Sequence, residues 1–321
     1  MTMPRHPLVS LCVPSCNHAA YLPRLFDSLV ANPYCEVELL MIDDGSRDGS
    51  DAVIRSYLSV LEARLHAVHY FARENRGLSR TLNELLQRCR GEYVKVIASD
   101  DYLHDESIAP FVDCLEHSGR DVVFGDLLVV DVQGAERYRR KGLLGLGVDY
   151  EIDDFCICDS LKESPTVGSA WLMRADAMRR VGGFDEQSRV EDWEFVNRLT
   201  VEGVTFAYVD KVAAYYRTFE RKGPYFGSHL NWFMADLYIL NKYREHCPAS
   251  YRSALRNVLQ ARLAGSLREG LPDVAPLLRV ALTHDPTALR VLFSTGTRRA
   301  LVHAVARGVV RAVRRGDAGL G

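Results

Sequence analysis

Short apolar runs alternate with helical segments over the first hundred residues, and this alternation constrains the fold more than any other feature. The runs span residues 9–14, 37–42, 66–71 and 93–98. Strands that are covered on both faces typically consist of such runs. The first three runs are each followed by apolar residues spaced three and four positions apart, which indicates amphipathic helices. The pattern predicts the α/β class, with a mostly parallel sheet flanked by helices.

Polar clusters stand at the ends of three of these runs. They are Ser15-Cys16-Asn17, Asp43-Asp44-Gly45-Ser46 and Ser99-Asp100-Asp101. In open parallel sheets, ligands bind outside the carboxyl ends of the strands. We therefore expect the three clusters to converge on one crevice.

The adjacent carboxylates Asp100 and Asp101 are the sharpest of these features. Two acids at the end of a buried strand cost free energy unless a cation neutralises them. Mg²⁺ favours one or two carboxylates together with substrate phosphates, so the pair fits a metal that holds a diphosphate. The alternative is that Asp101 caps a helix whose first turn contains Asp105 and Glu106.

Asp43 and Asp44 repeat the pattern of a strand that ends in acids, and the alternative there is a turn that caps the next helix. No glycine-rich phosphate loop of the dinucleotide-binding or P-loop type follows the first run. Acids without such a loop fit a site that holds a diphosphate through a metal.

Glu191 and Asp192 open a predicted helix over residues 191–201. Acids at a helix start are often caps. The functional interpretation is a general base, because a carboxylate beside another carboxylate can have its pKa raised toward the working range. The histidines at positions 18, 66 and 69 are interpreted as structural, since no nucleophilic set with a histidine has recognisable local context.

The composition is that of a soluble globular protein, with 47% apolar and 26% charged residues. No run reaches 18 apolar residues, so no transmembrane helix is expected. The first residues leave no room for a signal peptide, and we expect a cytoplasmic protein. The eight cysteines include no CxxC pair and are expected to be reduced thiols.

Charge is divided unevenly along the chain. Residues 251–321 contain 12 arginines, no lysine and 4 acids, a net charge of +8, whereas residues 1–250 have a net charge of −10. Over 298–315, apolar and basic side chains fall on separate stripes of a predicted helix. The sequence leaves three interpretations of this helix open: packing on the body of the protein, binding to a membrane surface, or binding to a protein partner. Nucleic acid is not expected, because the basic run lacks interleaved aromatic residues.

A series of short motifs stands in order over residues 8–217. It consists of VSLCVPSCN at 9–17, DDGSRDGS at 43–50, NRGLS at 75–79 with Asn83, GEYV at 91–94, SDD at 99–101, VGGFD at 181–185 and EDWE at 191–194. In this order and spacing the motifs resemble those of family 2 inverting glycosyltransferases. Each motif alone is weak, but the series is specific and covers about two thirds of the chain.

The resemblance implies a GT-A fold in a catalytic domain over 1–225, followed by a helical region over 226–321. It implies inverting, metal-dependent transfer of a sugar from a nucleotide-diphosphate sugar to a hydroxyl acceptor. A saccharide or lipid-linked saccharide acceptor, in cell-surface polysaccharide or glycolipid assembly, fits a protein located peripherally on the inner face of the membrane.

The resemblance also implies roles for individual residues. Donor-binding residues would be Pro14, Ser15, Asn17, Asp43, Asp44, Asn83 and Asp100. Asp44, with Asp43 beside it, would contact the nucleotide base, and Asp100 would hold the ribose or the sugar. Asp101 would bind Mg²⁺ or Mn²⁺ with the diphosphate. Asp192 would be the catalytic base, with Glu191 assisting in acceptor binding.

Two positions depart from the family pattern. Cys16 replaces an aromatic residue, so base stacking there is lost or moved. Phe219 stands where the family often has a histidine that contacts metal or diphosphate, and His229 is a possible substitute.

The sequence leaves two other classes of protein open. A sugar nucleotidyltransferase usually has a glycine-rich loop with a basic residue after its first strand, and Ser15-Cys16-Asn17-His18 is a poor match. A non-catalytic sugar-nucleotide binding protein could keep Asp44 and Asp101 but would have no need of Asp192.

Overall fold

The computed structural model describes residues 6–141 and 167–219, together with Ser160 and positions 235, 238–239 and 242–247. The chain divides into two compact units, Met1–Phe219 and Glu220–Gly321, and the first contains the fold described below. The basic segment 298–315, His229 and the closely spaced Cys156 and Cys158 lie outside the described residues. The domain boundary at residue 225 stays a prediction.

Within the described residues, nine strands form one sheet. They are β1 (Val9–Ser15), β2 (Val37–Asp44), β3 (Ala67–Arg73), β4 (Tyr93–Val96), β5 (Tyr102–Leu103), β6 (Val122–Val130), β7 (Glu136–Arg140), β8 (Trp171–Arg174) and β9 (Phe206–Arg217). Their order is β3-β2-β1-β4-β8-β6-β9-β5, with β7 paired to β6. Strands β1 to β4 run parallel, as do β6 and β9, whereas β5, β7 and β8 run antiparallel to their neighbours.

The described part of the chain has six α-helices. They are α1 (Leu22–Ala31), α2 (Ser50–Arg64), α3 (Leu78–Leu86), α4 (Ala109–Ser118), α5 (Ala175–Val181) and α6 (Glu191–Val201). Helices α1, α2 and α4 bury their apolar side chains in one core cluster, and α3, α5 and α6 bury theirs in a second. Both faces of the sheet are therefore covered, which confirms the predicted fold class.

The second half of the sheet differs from the sequence prediction in its strand boundaries. The apolar runs 122–124 and 127–132 predict two strands, but they form one strand, β6, with a register irregularity at Asp126. Buried Asp126 is paired there with Arg139 (2.6 Å) and Lys141 (3.3 Å). Strand β9 likewise joins two strands predicted from the apolar runs 204–209 and 212–216. The charged, glycine-containing segment 134–165 predicts an irregular loop, yet β7 forms near its start.

Lys95 is an unusual member of β4, because its side chain is fully buried. Its ammonium group donates hydrogen bonds to the backbone oxygens of Ser169 (3.0 Å) and Trp171 (3.3 Å). Burial lowers the pKa of Lys95 to about 7, although the negative charge of Asp101 acts in the opposite direction. The lysine thereby fastens the end of β4 to the segment before β8.

Candidate functional site

The loops after β1 and β2 are hydrogen-bonded to each other at the carboxyl end of the sheet. The backbone N–H of Asn17 donates to Ser46 Oγ (2.8 Å), and the N–H of Arg47 donates to Asn17 Oδ1 (2.8 Å). Asn17 has a φ of 57°, a left-handed conformation that asparagine tolerates better than most residues. Two of the three predicted clusters therefore meet, and Asn17 joins them.

His18 links the first of these loops to the loop after β4. Its Nδ1 lies 2.8 Å from Ser99 Oγ and 4.0 Å from Asp100 Oδ1. The third cluster thus joins the other two, as the carboxyl-end rule predicts. The sequence interpretation of His18 as merely structural is incomplete, because the ring lies beside a predicted donor-binding acid.

Asp100 and Asp101 have different environments. Asp101 is 2% exposed, and its two carboxylate oxygens accept hydrogen bonds from Ser169 Oγ (2.6 Å) and the backbone N–H of Arg217 (2.8 Å). Burial, reinforced by the charge of Asp100, raises the pKa of Asp101 to about 8. The side chain of Asp100 keeps 18% of its surface exposed. The geometry therefore favours Asp100, rather than Asp101, as a ligand for a cation.

Arg217 holds the acidic loop in place. Its Nε donates to the backbone oxygen of Asp100 (2.9 Å), and its Nη1 donates to the backbone oxygens of Asp131 (3.1 Å) and Val132 (2.8 Å). Helix α4 begins only at Ala109, so the predicted capping alternative for Asp101 is wrong. The buried acid is instead part of the junction between β4 and β9.

Pro14, Ser15 and Asp43 lie at the paired ends of β1 and β2, where Ser15 is opposite Asp43 in the register. All three are buried. Asp43 Oδ1 accepts a hydrogen bond from the backbone N–H of Ser46 (2.9 Å), which is the turn foreseen as the alternative reading. Ser15 Oγ is buried and has no hydrogen-bond partner among the described residues.

Asp44 is engaged by the segment that precedes α3. Its carboxylate accepts hydrogen bonds from the backbone N–H groups of Arg76 (2.8 Å) and Gly77 (3.0 Å), and it forms an ion pair with Arg73. The acid therefore stabilises the start of α3, which is not the helix that directly follows it in sequence. A contact between Asp44 and a nucleotide base stays a prediction.

Asn83 has a different set of contacts from the one expected. Its amide donates to the backbone oxygen of Phe184 (2.9 Å) and accepts from the backbone N–H of the same residue (2.7 Å). Gly183, which has a φ of 79°, lies so close that a Cβ there would stand 2.5 Å from Asn83 Oδ1. These contacts favour a structural role for Asn83, joining α3 to the turn before α6, over the predicted donor contact.

Glu191 and Asp192 form the first turn of α6 and are both half-buried. Asp192 Oδ1 accepts a hydrogen bond from the backbone N–H of Trp193 (2.7 Å). Burial raises the pKa of Asp192 to about 6, and burial together with the charge of Asp192 raises that of Glu191. A carboxylate whose pKa is near 6 is ionised at neutral pH and basic enough to accept a proton.

The charges of Asp192 and of the acidic loop after β4 both act on Tyr216. Burial raises its pKa to about 12, and the charges of Asp101, Asp192 and Asp100 add to the effect, whereas Arg140 opposes it. One phenol thus lies within the fields of the strand-end acids and of the helix-start acid. This supports the prediction that the separate motifs contribute to one site, which stays a prediction.

Sequence reasoning did not single out Tyr216, Arg217, Arg140 or Ser169. The first two lie in an apolar strand pattern, and the other two lie in or beside segments without a motif. A signal in the sequence is the pair Tyr216-Arg217, which closely precedes Phe219, the position where the family often has a histidine.

A divalent cation fits the donor set at Asp100. Among the residues that the structure describes, no three histidine, cysteine or acidic side chains converge as a metal cage. A partly exposed carboxylate such as that of Asp100 is instead the kind of ligand that Mg²⁺ takes when substrate phosphates complete its coordination.

The family model described as Glycosyl transferase family 2 matches residues 10–182. An uncharacterized glycosyltransferase of Rickettsia typhi is 30% identical over 190 residues, which cover 56% of this chain and 54% of that protein. Chondroitin synthase of Escherichia coli is 24% identical over 212 residues, 66% of this chain and 29% of that enzyme. The chain thus spans about half or less of these relatives' length.

Solved structures share the fold. A mannosyltransferase from Pyrobaculum calidifontis in complex with GDP-Man and Mn²⁺ superposes with a TM-score of 0.57 at 16% identity, covering 95% of this chain and 88% of that one. S. aureus TarS 1–349 superposes with a TM-score of 0.60 at 17% identity, covering 96% and 92%. A further structure of that TarS fragment contains UDP-GlcNAc.

Proposed function

Since the chain belongs to glycosyl transferase family 2, we propose that it transfers a sugar from a nucleotide-diphosphate sugar to a hydroxyl group, with inversion at the anomeric carbon. The observation that best supports this proposal is the meeting of two kinds of acid around Tyr216. Asp100 comes from a strand end, where a donor diphosphate would bind, and Asp192 comes from a helix start. A donor site and a base within one region are what a direct displacement needs.

At the donor end, Asp100 would hold a divalent cation, Mg²⁺ or Mn²⁺, together with the diphosphate. When bound, that cation supplies Lewis-acid stabilisation of the leaving group. The loop after β4 is held in position by the hydrogen bonds of Asp101 with Ser169 and Arg217, and by that of Arg217 with the backbone oxygen of Asp100. The presence of Mn²⁺ and GDP-Man in the archaeal mannosyltransferase supports this class of donor.

At the acceptor end, Asp192 accepts the proton of the attacking hydroxyl group. The acceptor oxygen then forms a bond to the anomeric carbon while the bond from that carbon to the diphosphate oxygen breaks. The electron pair of the broken bond leaves with the nucleoside diphosphate, and no covalent enzyme intermediate is needed. Glu191, whose pKa is raised further by burial and by Asp192, would hold a second acceptor group as a hydrogen-bond donor or acceptor.

The acceptor would be a saccharide or lipid-linked saccharide, in the assembly of a cell-surface polysaccharide or glycolipid at the inner face of the membrane. Chondroitin synthase, among the relatives, makes a polysaccharide by its name, which supports that setting. No helix among the described residues has both the length and the apolar character needed to cross a membrane.

A panel of UDP-, GDP- and dTDP-sugars tests the proposal. A donor that binds only the native state raises the melting temperature in the presence of Mn²⁺. The same donor should release its nucleoside diphosphate when acceptor saccharides are added, which a non-catalytic binding protein does not do. If no donor raises the melting temperature and none is consumed, the proposal is wrong.

A further inference from the structure

Strand β7 extends the sheet beside the region around Tyr216. Val129 of β6 is opposite Tyr138 of β7 on one side and opposite Tyr216 of β9 on the other. Side chains opposite each other in neighbouring strands lie on the same face of a sheet. Tyr138, Val129 and Tyr216 therefore form a row, and Tyr138, at 61% exposure, is its open end.

The arginines of β7 are divided between its two faces, because successive side chains of a strand alternate. Arg137 pairs with Asp131 (2.5 Å), and Arg139 pairs with Asp126 (2.6 Å). Arg140 points to the other face, that of Tyr138, and its Cζ lies 5.9 Å from the ring centroid of Tyr216. Among the described residues Arg140 forms no ion pair within 4.0 Å, so its guanidinium is available.

The charge of Arg140 acts on the proposed base. It opposes the rise in pKa that burial causes in Asp192 and Tyr216. The buried acid of the donor side, Asp101, has Arg217 as its nearby cation. With its Cζ 5.9 Å from the Tyr216 ring, Arg140 is therefore better placed to meet the group that brings the attacking hydroxyl than to meet the diphosphate.

We propose that Tyr138, Arg140 and Tyr216 form an acceptor subsite, and that Arg140 selects an acceptor sugar bearing an anionic group. The subsite rests on the proposed function, since it assigns the acceptor for the same reaction. A guanidinium pairs bidentately with a carboxylate or a phosphate. The exposed phenol of Tyr138 offers an amphipathic surface next to it, suited to a pyranose ring.

Three methyl glycosides that differ only at C6 test the anionic preference. They are methyl β-glucoside, methyl β-glucuronoside and methyl β-glucoside 6-phosphate, and their dissociation constants are measured by ligand-observed NMR titration of the full-length protein. The wild type is expected to bind the glucuronoside or the phosphate about tenfold more tightly than the neutral glycoside, as for one charge-assisted hydrogen-bonded pair. The carboxylate and phosphate arms distinguish a uronic acid from a phosphorylated acceptor.

Substitutions of the arginines in β7 test whether Arg140 causes the preference for anionic glycosides. Arg140→Gln should abolish the difference between anionic and neutral glycosides, and Arg140→Lys should restore part of it. Arg137→Gln is the matched control, because it removes an arginine from the same strand on the opposite face, and it should keep the preference. Equal affinity of the wild type for all three glycosides overturns the subsite, and so does an Arg140→Gln variant that keeps the preference.

The two proposals fail separately. The glycoside titration needs no donor, so an anionic preference without any donor consumption contradicts the proposed function and leaves an anion-selective glycoside-binding site without its role as acceptor subsite. Conversely, a wild type that glycosylates neutral and anionic acceptors with equal kcat/KM contradicts the subsite and leaves the glycosyltransferase proposal.

Discussion

The carboxyl group of Asp192 is subject to two opposing influences at the start of α6. Burial disfavours its charge, whereas the backbone N–H of Trp193 and the positive charge of Arg140 favour it. The balance gives a pKa of about 6, between that of a free carboxyl and that of an imidazole. An acid with that pKa is ionised at neutral pH and still holds a proton well enough to act as a base.

Replacing Asp192 with asparagine tests its role as the base. We expect transfer to fall by a factor on the order of 10²–10⁴, the usual contribution of a general base, while donor affinity stays the same. Asp176→Asn is the matched control, because Asp176 also lies in the first turn of a helix and accepts the next backbone N–H (2.8 Å). Steady-state rates decide the matter, and an Asp192→Asn enzyme as fast as the control would remove the base assignment.

The pH profile provides a second test of the same group. Because the base must be unprotonated, kcat/KM should rise with pH and level off above about 6. In Arg140→Gln the rising limb should move to higher pH, since the cation that favours the charged form is gone. A limb that stays in place in this variant would show that Asp192 is not the group being titrated.

The neighbouring acids at the end of β4 should respond differently to substitution. Asp100→Ala is expected to abolish the part of donor affinity that depends on Mn²⁺, because it removes the exposed carboxylate. Asp101→Asn should lower the melting temperature, since its two oxygens accept buried hydrogen bonds that one amide cannot both accept. Calorimetric titration with and without Mn²⁺ compares the two, and a purely metal-dependent loss in Asp101→Asn would restore the original assignment.

Sequence reasoning located these acids but not the difference in their burial. Which of two adjacent side chains faces inward depends on Ser169 and on the backbone of Arg217, which follow them by 68 and 116 residues. No local pattern contains that information. The position of Asp192 in the fold was easier to predict, since the spacing of apolar residues alone predicts the bounds of the helix that begins beside it.

Among the elements, the first four strands and three helices follow directly from the apolar pattern of the sequence. Strands β1, β2 and β4 are buried, β3 is half-buried, and each helix buries one apolar face. The later strands do not. Strand β7 is a run of charged residues whose pairing depends on buried Asp126, and β5 has only two residues. Tertiary pairing, rather than local propensity, determines such strands.

The junction between α3 and the turn before α6 gives a prediction at this scale. Asn83→Ala should destabilise the fold by about 1–3 kcal/mol, because it leaves the backbone N–H and oxygen of Phe184 without their partners. Donor affinity, measured by titration of the folded protein, should be unchanged. Loss of donor affinity at an unchanged melting temperature would instead support the donor contact expected from the sequence.

For the molecule as a whole, the uneven distribution of charge along the chain says more about membrane binding than the net charge of −2 does. The acids that the proposed reaction uses all belong to residues 1–250, which have a net charge of −10, and a body of that sign is repelled by anionic membrane lipids. Residues 251–321 have a net charge of +8 and are attracted to such a surface. A protein with this division of charge would be attracted to an anionic membrane through residues 251–321.

Vesicle flotation tests whether the basic segment binds a membrane. The substitutions Arg307→Gln, Arg311→Gln and Arg314→Gln remove three basic side chains from one predicted stripe of the segment 298–315. Each basic residue near an anionic surface contributes about 1 kcal/mol, so partitioning onto phosphatidylglycerol vesicles should fall by on the order of 100-fold. The control changes Arg252, Arg256 and Arg262 to glutamine, which alters the net charge equally outside the stripe. If both triple variants float alike, attraction by net charge explains the binding, and the amphipathic stripe has no part in it.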